Sequence, residues 1–102
     1  MTLESRQRPF TLALCNEVIR ELPFDAQCRA AASLGYDALE VAPFTLADDP
    51  RTLRDSDLER LAGAAASAGV RVSSLHWLLM APTGLSITSP DPQVRRTTPE
   101  VM

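Results

Sequence analysis

Apolar positions along the chain fall into two periods, and the switches between them mark out elements. Residues 10–15 (Phe-Thr-Leu-Ala-Leu-Cys) alternate large and small, so an extended strand would carry Leu12 and Leu14 on one face and Ala13 and Cys15 on the other. Asn16, Glu17 and a short connection follow, closed by Pro23. The period then becomes helical. Phe24, Cys28, Ala31 and Leu34 or Ala32 form a narrow stripe of small side chains, which lets a helix lie close against a sheet. Pro23 suits the first helical position, Asp25 suits the positive end of the helix dipole, and Gly35 suits the left-handed residue that ends the helix.

The period returns to two over residues 37–42, with Leu39 and Val41 on one face and Ala38 and Glu40 on the other, until Pro43 stops the strand. Residues 44–54 read as a polar loop. Its Asp48-Asp49-Pro50 turn offers paired carboxylates that can bind a metal, but such groups beside proline more often make a solvated turn. Ser56-Asp57-Leu58-Glu59 reads as a capping box ahead of a helix carrying Leu58, Leu61, Ala62, Ala65 and Ala68. Gly69 ends that helix as Gly35 ends the first, and residues 70–75 form a third strand leading to His76 and Trp77. By alternation from the glycines, Leu39, Val41, Ser73 and Leu75 point towards the helices, and Glu40, Ser74 and His76 point away from them.

Residues 78–90 are an unusually apolar loop, expected to form a lid or wall over a pocket or to be covered by further protein. Asp91-Pro92 opens a third helix with Val94, Thr98 and Val101 on one stripe, which Pro99 is expected to kink or restart. Helix, glycine and strand repeated in tandem indicate an α/β fold of parallel βα units. Residues 1–9 are then a polar, flexible leader and residues 10–102 the amino-terminal part of a larger domain, truncated in the third helix. Three parallel strands leave two open edges, through which the chain is expected to self-associate.

Composition adds exclusions. All ten basic residues are arginine, so no lysine is present to form a Schiff base. The arginines are scattered among thirteen acids at a net charge of −3, which argues against nucleic acid as a partner. The longest apolar run is too short to span a membrane. Cys15 and Cys28 have no CxxC spacing and no secretory leader ahead of them, which points to free thiols in the cytoplasm, with Cys28 in the core.

Candidate chemistry gathers at the carboxyl ends of the strands, where βα barrels carry their working residues. Asn16 would cap a loop or bind a hydroxyl, and Glu40 would bind substrate or pair with Arg71. His76 would touch a ligand or metal or serve a structural role, and Trp77 suits a pocket wall. Ser56 and Ser74 lack the setting of a nucleophile, and no glycine-rich phosphate loop is present.

The segments Leu34-Gly35-Tyr36-Asp37-Ala38-Leu39-Glu40-Val41 and Ala68-Gly69-Val70-Arg71-Val72-Ser73-Ser74-Leu75-His76-Trp77 resemble the start of the sugar phosphate isomerase/epimerase family, whose members are xylose-isomerase-like TIM barrels. Leu14-Cys15-Asn16-Glu17 and the Gly84-Leu85-Ser86-Ile87-Thr88-Ser89 loop are similar to its sugar-isomerase side. The resemblance implies the first three βα units of a (β/α)8 barrel acting on a small sugar or sugar phosphate. It also implies a divalent metal (Mn, Mg or Zn) on a Glu/Asp/His/Glu set, with two glutamates as acid and base. Asn16, Glu40, His76 and Trp77 would then line the substrate pocket. His76 matches a histidine that binds metal in one branch. The other ligands belong to the second half of such a barrel, so this stretch alone is expected to bind no metal tightly and to be catalytically silent. An AP-endonuclease-like member of the same fold and a non-catalytic α/β interaction module are the alternative readings.

Overall fold

A computed structural model describes residues 9–102. The expected leader, apart from Pro9, lies outside the described residues. Three strands, β1 (Ala13–Cys15), β2 (Ala38–Val41) and β3 (Arg71–Leu75), form one sheet in the order β1-β2-β3. Both pairings are parallel. Helices α1 (Phe24–Ser33) and α2 (Asp55–Ala68) cross between them, and α3 (Pro92–Val101) follows the long loop. The alternating βα order expected from the sequence is present.

Both crossover helices end by the same device. Gly35 takes φ 89° and Gly69 φ 78°, a region that side-chain-bearing residues rarely adopt. In α1 the Gly35 and Tyr36 amides donate to the Ala32 and Ala31 carbonyls. In α2 the Gly69 and Val70 amides donate to the Ala66 and Ala65 carbonyls. This paired capping satisfies carbonyls that a helix end otherwise leaves open. It also turns the chain directly into the following strand.

The amino ends follow the sequence less closely. Pro23 precedes α1 with extended backbone (ψ 154°) and does not open it. For α2 the expected Ser56–Glu59 box is replaced by a start two residues earlier, with Arg54 rather than Ser56 at the cap position. The Asp57 carboxylate reaches back to accept from the Arg54 amide at 2.9 Å, which leaves Ser56 inside the helix. In α3, Asp91 caps the Gln93 amide at 2.9 Å and the helix runs through Pro99 without restarting.

The core lies where α1 and α2 cover one face of the sheet. Cys28, Ala31, Leu39, Val41, Ala65 and Val70 are buried there, with Leu14, Phe24 and Ala32 packed against them. Leu39 and Val41 take the helix-facing positions that alternation assigns, and Ala32 rather than the exposed Leu34 completes the α1 stripe. Small residues on both helices allow the close approach that this burial needs.

One expectation about β3 fails by a single residue. Leu39 pairs with Val72, but the next residue of β2, Glu40, pairs with Ser74. Ser73 is thus the extra residue of a β-bulge. Val72 and Leu75 share the helix side with Val41, which a regular strand would not allow for positions three apart. Ser73 therefore does not take the helix-facing place expected of it, while Leu75 does. The residues beyond the bulge, Ser74 and His76, return to the expected phase.

β3 is exposed along its length. Its helix side opens on an apolar cleft of about 210 Å³ lined by Phe24, Val41, Leu58, Leu61, Val72 and Leu75, among others. The loop before α3 is half-buried at Leu78, Leu79, Ala81 and Pro82, with Met80 and Ile87 exposed. No helix among the described residues is long and apolar enough to cross a membrane.

Candidate functional site

Parallel register places Cys15 beside Glu40 and Glu40 beside Ser74, so a row of three polar side chains crosses the sheet on the face away from the helices. The row lies at the carboxyl end of each strand. His76 continues it one step past β3, where its amide donates to the Val41 carbonyl at 3.1 Å and fixes the backbone. Its imidazole turns back over the row: Nε2 lies 3.0 Å from Cys15 Sγ, and Nδ1 lies 3.8 Å from Glu40 Oε1. The imidazole is largely buried, with 18% of its side chain exposed against 41% for Glu40, so the carboxylate rims the site and the histidine forms its floor.

Glu17 joins from the 3₁₀ turn Asn16–Ile19 that follows β1. Ligand-type atoms of Cys15, Glu17 and His76 all lie within 4.8 Å of one another. The bulge in β3 makes this possible, because it restores His76 to the face that carries Cys15.

Asn16, next in sequence, is placed differently. It is fully buried, and its amide nitrogen donates to Gln27 Oε1 (3.1 Å) and to Thr45 Oγ1 (2.8 Å). Its carbonyl oxygen accepts from the Ala42 amide at 2.9 Å. It ties the end of β1 to α1 and to the end of β2, and the site forms without it. Glu40 does not pair with Arg71, which sits at the opposite end of β3 and donates to Thr11 Oγ1 at 2.6 Å. The Asp48-Asp49-Pro50 turn is held by Arg51. Asp49 accepts from both its amide and its guanidinium, and the bond to that guanidinium holds the Asp49 carboxyl below the usual range.

Trp77 stands at the edge of the site with 56% of its surface exposed. It is the one residue other than glycine among those described with positive φ, at 54°. A bulky residue in that region costs backbone energy of order 1–3 kcal/mol, and such strain clusters at ligand sites. Its ring stacks on Phe44 (centroids 6.4 Å apart, 29° between planes) and meets the His76 ring edge-on. An aromatic wall thus borders a floor of imidazole, thiol and two carboxylates.

Of the residues singled out in the sequence, the fold brings together Glu40, His76 and Trp77. It adds Glu17, which follows Asn16 at the working end of the first strand, and Cys15, which sequence reasoning did not assign to a site. The available signal was register: Cys15 shares its strand face with Ala13 and becomes the neighbour of Glu40 once β1 and β2 pair in parallel. Thiolate, imidazole and carboxylate are metal ligands, and the same groups exchange protons and hydrogen bonds with a polar ligand. No protein-family model matches the chain, and neither the curated proteins nor the solved structures yield a match.

Proposed function

We propose that this chain supplies the first three βα units of a (β/α)8 barrel of the sugar or sugar-phosphate isomerase/epimerase kind, and that Glu40, His76 and Trp77 hold the sugar. The carrying observation is the convergence of Glu40 and His76 at the carboxyl ends of adjacent parallel strands, beside an exposed tryptophan. A carboxylate accepts from one hydroxyl of a polyol and the imidazole N–H donates to the next oxygen, a pairing that suits vicinal hydroxyls. The Trp77 ring offers an apolar face for the C–H side of the sugar.

The metal implied by the family resemblance is not built into this reading. Its ligand set is rich in carboxylates and His76 alone corresponds to it. The Nε2 that would face such a metal is turned to a thiol. The residues present bind and orient.

Trp77 is the sole tryptophan, so its fluorescence reports directly on the site. Titration with ketoses, aldoses and their phosphates is expected to give saturable quenching for at least one. Glu40→Gln and His76→Gln should each weaken it about tenfold or more, the loss of a hydrogen bond to a charged or buried partner. Saturable quenching that both variants leave unchanged, or none with any sugar tested, would overturn the assignment. A second reading, a non-catalytic interaction module, is favoured by the exposure of Val72 (45%) and Leu75 (52%) on the edge strand. Size-exclusion chromatography separates the two, because a concentration-independent dimer is expected only of the module.

A further inference from the structure

We infer that Cys15, Glu17 and His76 form a zinc site with three protein ligands and one open coordination position, oriented by Glu40. The inference stands on donor geometry and does not rest on the barrel reading.

Three separate pieces of chain deliver the donors: the end of β1, the turn after it and the residue following β3. Their ligand atoms already lie within 4.8 Å of one another. Tetrahedral zinc with bonds of about 2.3 Å to sulfur and 2.0–2.1 Å to nitrogen sets those two atoms about 3.5 Å apart. Cys15 Sγ and His76 Nε2 stand at 3.0 Å, so the pair opens by a few tenths of an ångström to admit the ion. Side-chain rotation accomplishes that without moving the sheet.

The imidazole is presented for such a role. Nε2 faces the thiol while Nδ1 faces Glu40, and a carboxylate on the far nitrogen is the usual outer partner of a zinc-bound histidine. At 3.8 Å the Glu40 contact has room to tighten when the ring draws electron density towards a metal. On binding, the Zn–S bond would form as the thiol proton leaves to solvent, and Glu17 would join through a carboxylate oxygen. A thiolate, an imidazole and one carboxylate select zinc over magnesium or calcium, which prefer all-oxygen shells. With three protein ligands a fourth position would be open, as in zinc sites that bind water or substrate, and the Trp77 ring meets the ring of the ligating histidine edge-on.

The second thiol is an internal control. Cys28 is wholly buried in the core between α1 and the sheet, and burial pushes its thiol up, so it does not compete for the ion.

The test titrates the reduced 102-residue chain with Co²⁺ and then displaces it with Zn²⁺. One cobalt per chain is expected, with an intense thiolate-to-cobalt absorption that zinc abolishes. Cys15→Ser should remove that absorption and Cys28→Ala should keep it. Glu40→Gln is expected to weaken binding about 10–100-fold, as loss of an outer partner does, and Glu17→Gln by at least as much. Absence of the absorption in the parent chain, or its survival in Cys15→Ser, would overturn the site. Circular dichroism verifies that each variant folds. If Cys15→Ser does not fold, the parent chain still decides the matter through alkylation mapped by mass spectrometry. Zinc should protect Cys15, and equal labelling with and without zinc would overturn the proposal.

Discussion

Two helix–glycine–strand units stand side by side in this molecule, α1–Gly35–β2 and α2–Gly69–β3. Their helices end with the same pair of hydrogen bonds around a glycine of positive φ, and each leads at once into a parallel strand. Their strands then differ sharply. β2 buries three of its four residues, whereas all five of β3 are exposed. Local sequence accounts for the likeness, because a cap needs only the residues within a turn of it. Neighbours account for the difference. β2 has a strand on each side and two helices over it, while β3 pairs with β2 alone and leaves Val72 and Leu75 on an open cleft. Burial belongs to the assembly of units rather than to the unit.

The largest test of that contrast compares leucines. Leu39→Ala opens a cavity at a fully buried position and is expected to cost about 2–5 kcal/mol in urea unfolding. Leu75→Ala, at a site 52% exposed, should cost about 1 kcal/mol or less. Equal losses would mean that β3 is covered in solution and would erase the distinction between the units.

The caps supply a sharper and smaller comparison. Gly35→Ala and Gly69→Ala each force a Cβ into a left-handed conformation, at about 1–2 kcal/mol. Identical capping predicts losses matching within about 0.5 kcal/mol. A much smaller loss for Gly69→Ala would show α2 and β3 loosening before the remainder of the fold unfolds.

The smallest expected effect concerns acid. Besides Asp49, hydrogen bonding holds one carboxyl in each crossover helix below the usual aspartate range: Asp25 of α1 through Arg29, and Asp57 of α2 through the Arg54 amide. Because the folded value lies below the unfolded one, each contributes stability that is full above the unfolded value and lost as pH falls through the folded value. Asp25→Asn and Asp57→Asn should therefore lower the melting temperature slightly at neutral pH and converge with the parent chain at strongly acid pH. A difference that persists unchanged there would assign the effect to something other than titration. Added salt should erode the Asp25 contribution more, since its main partner is an exposed guanidinium, whereas Asp57 is held first by a backbone amide and only at longer range by Arg54 and Arg60.

How much of this the sequence carried depended on range. The helix ends at Gly35 and Gly69 and the core face of β2 were legible, because a left-handed glycine and an alternation of Leu39 and Val41 are local signals. The start of α2 differs from the Ser56–Glu59 box because the Asp57 carboxylate, at the third helical position, reaches back to the Arg54 amide, a choice that depends on side-chain reach and not on residue type. The bulge at Ser73 was invisible because it is a property of two paired strands. In the site, the pairing of Glu40 with His76 followed from their common position at strand ends. Cys15 required the register between β1 and β2. Asn16 has the same chemistry whether it meets a ligand or, as here, Gln27, Thr45 and the Ala42 amide.

The extra residue in β3 also constrains how this chain can vary in length. Deleting one codon among residues 71–73 would give a more regular strand and improve its ladder with β2. The later pairings, Glu40 with Ser74 and Val41 with Leu75, would stand as they are, whereas drawing Ser73 into the ladder would invert every side chain that follows and carry His76 to the helix side. Natural variants and designed homologues should therefore tolerate loss of Ser73 with His76 still on the face of Cys15.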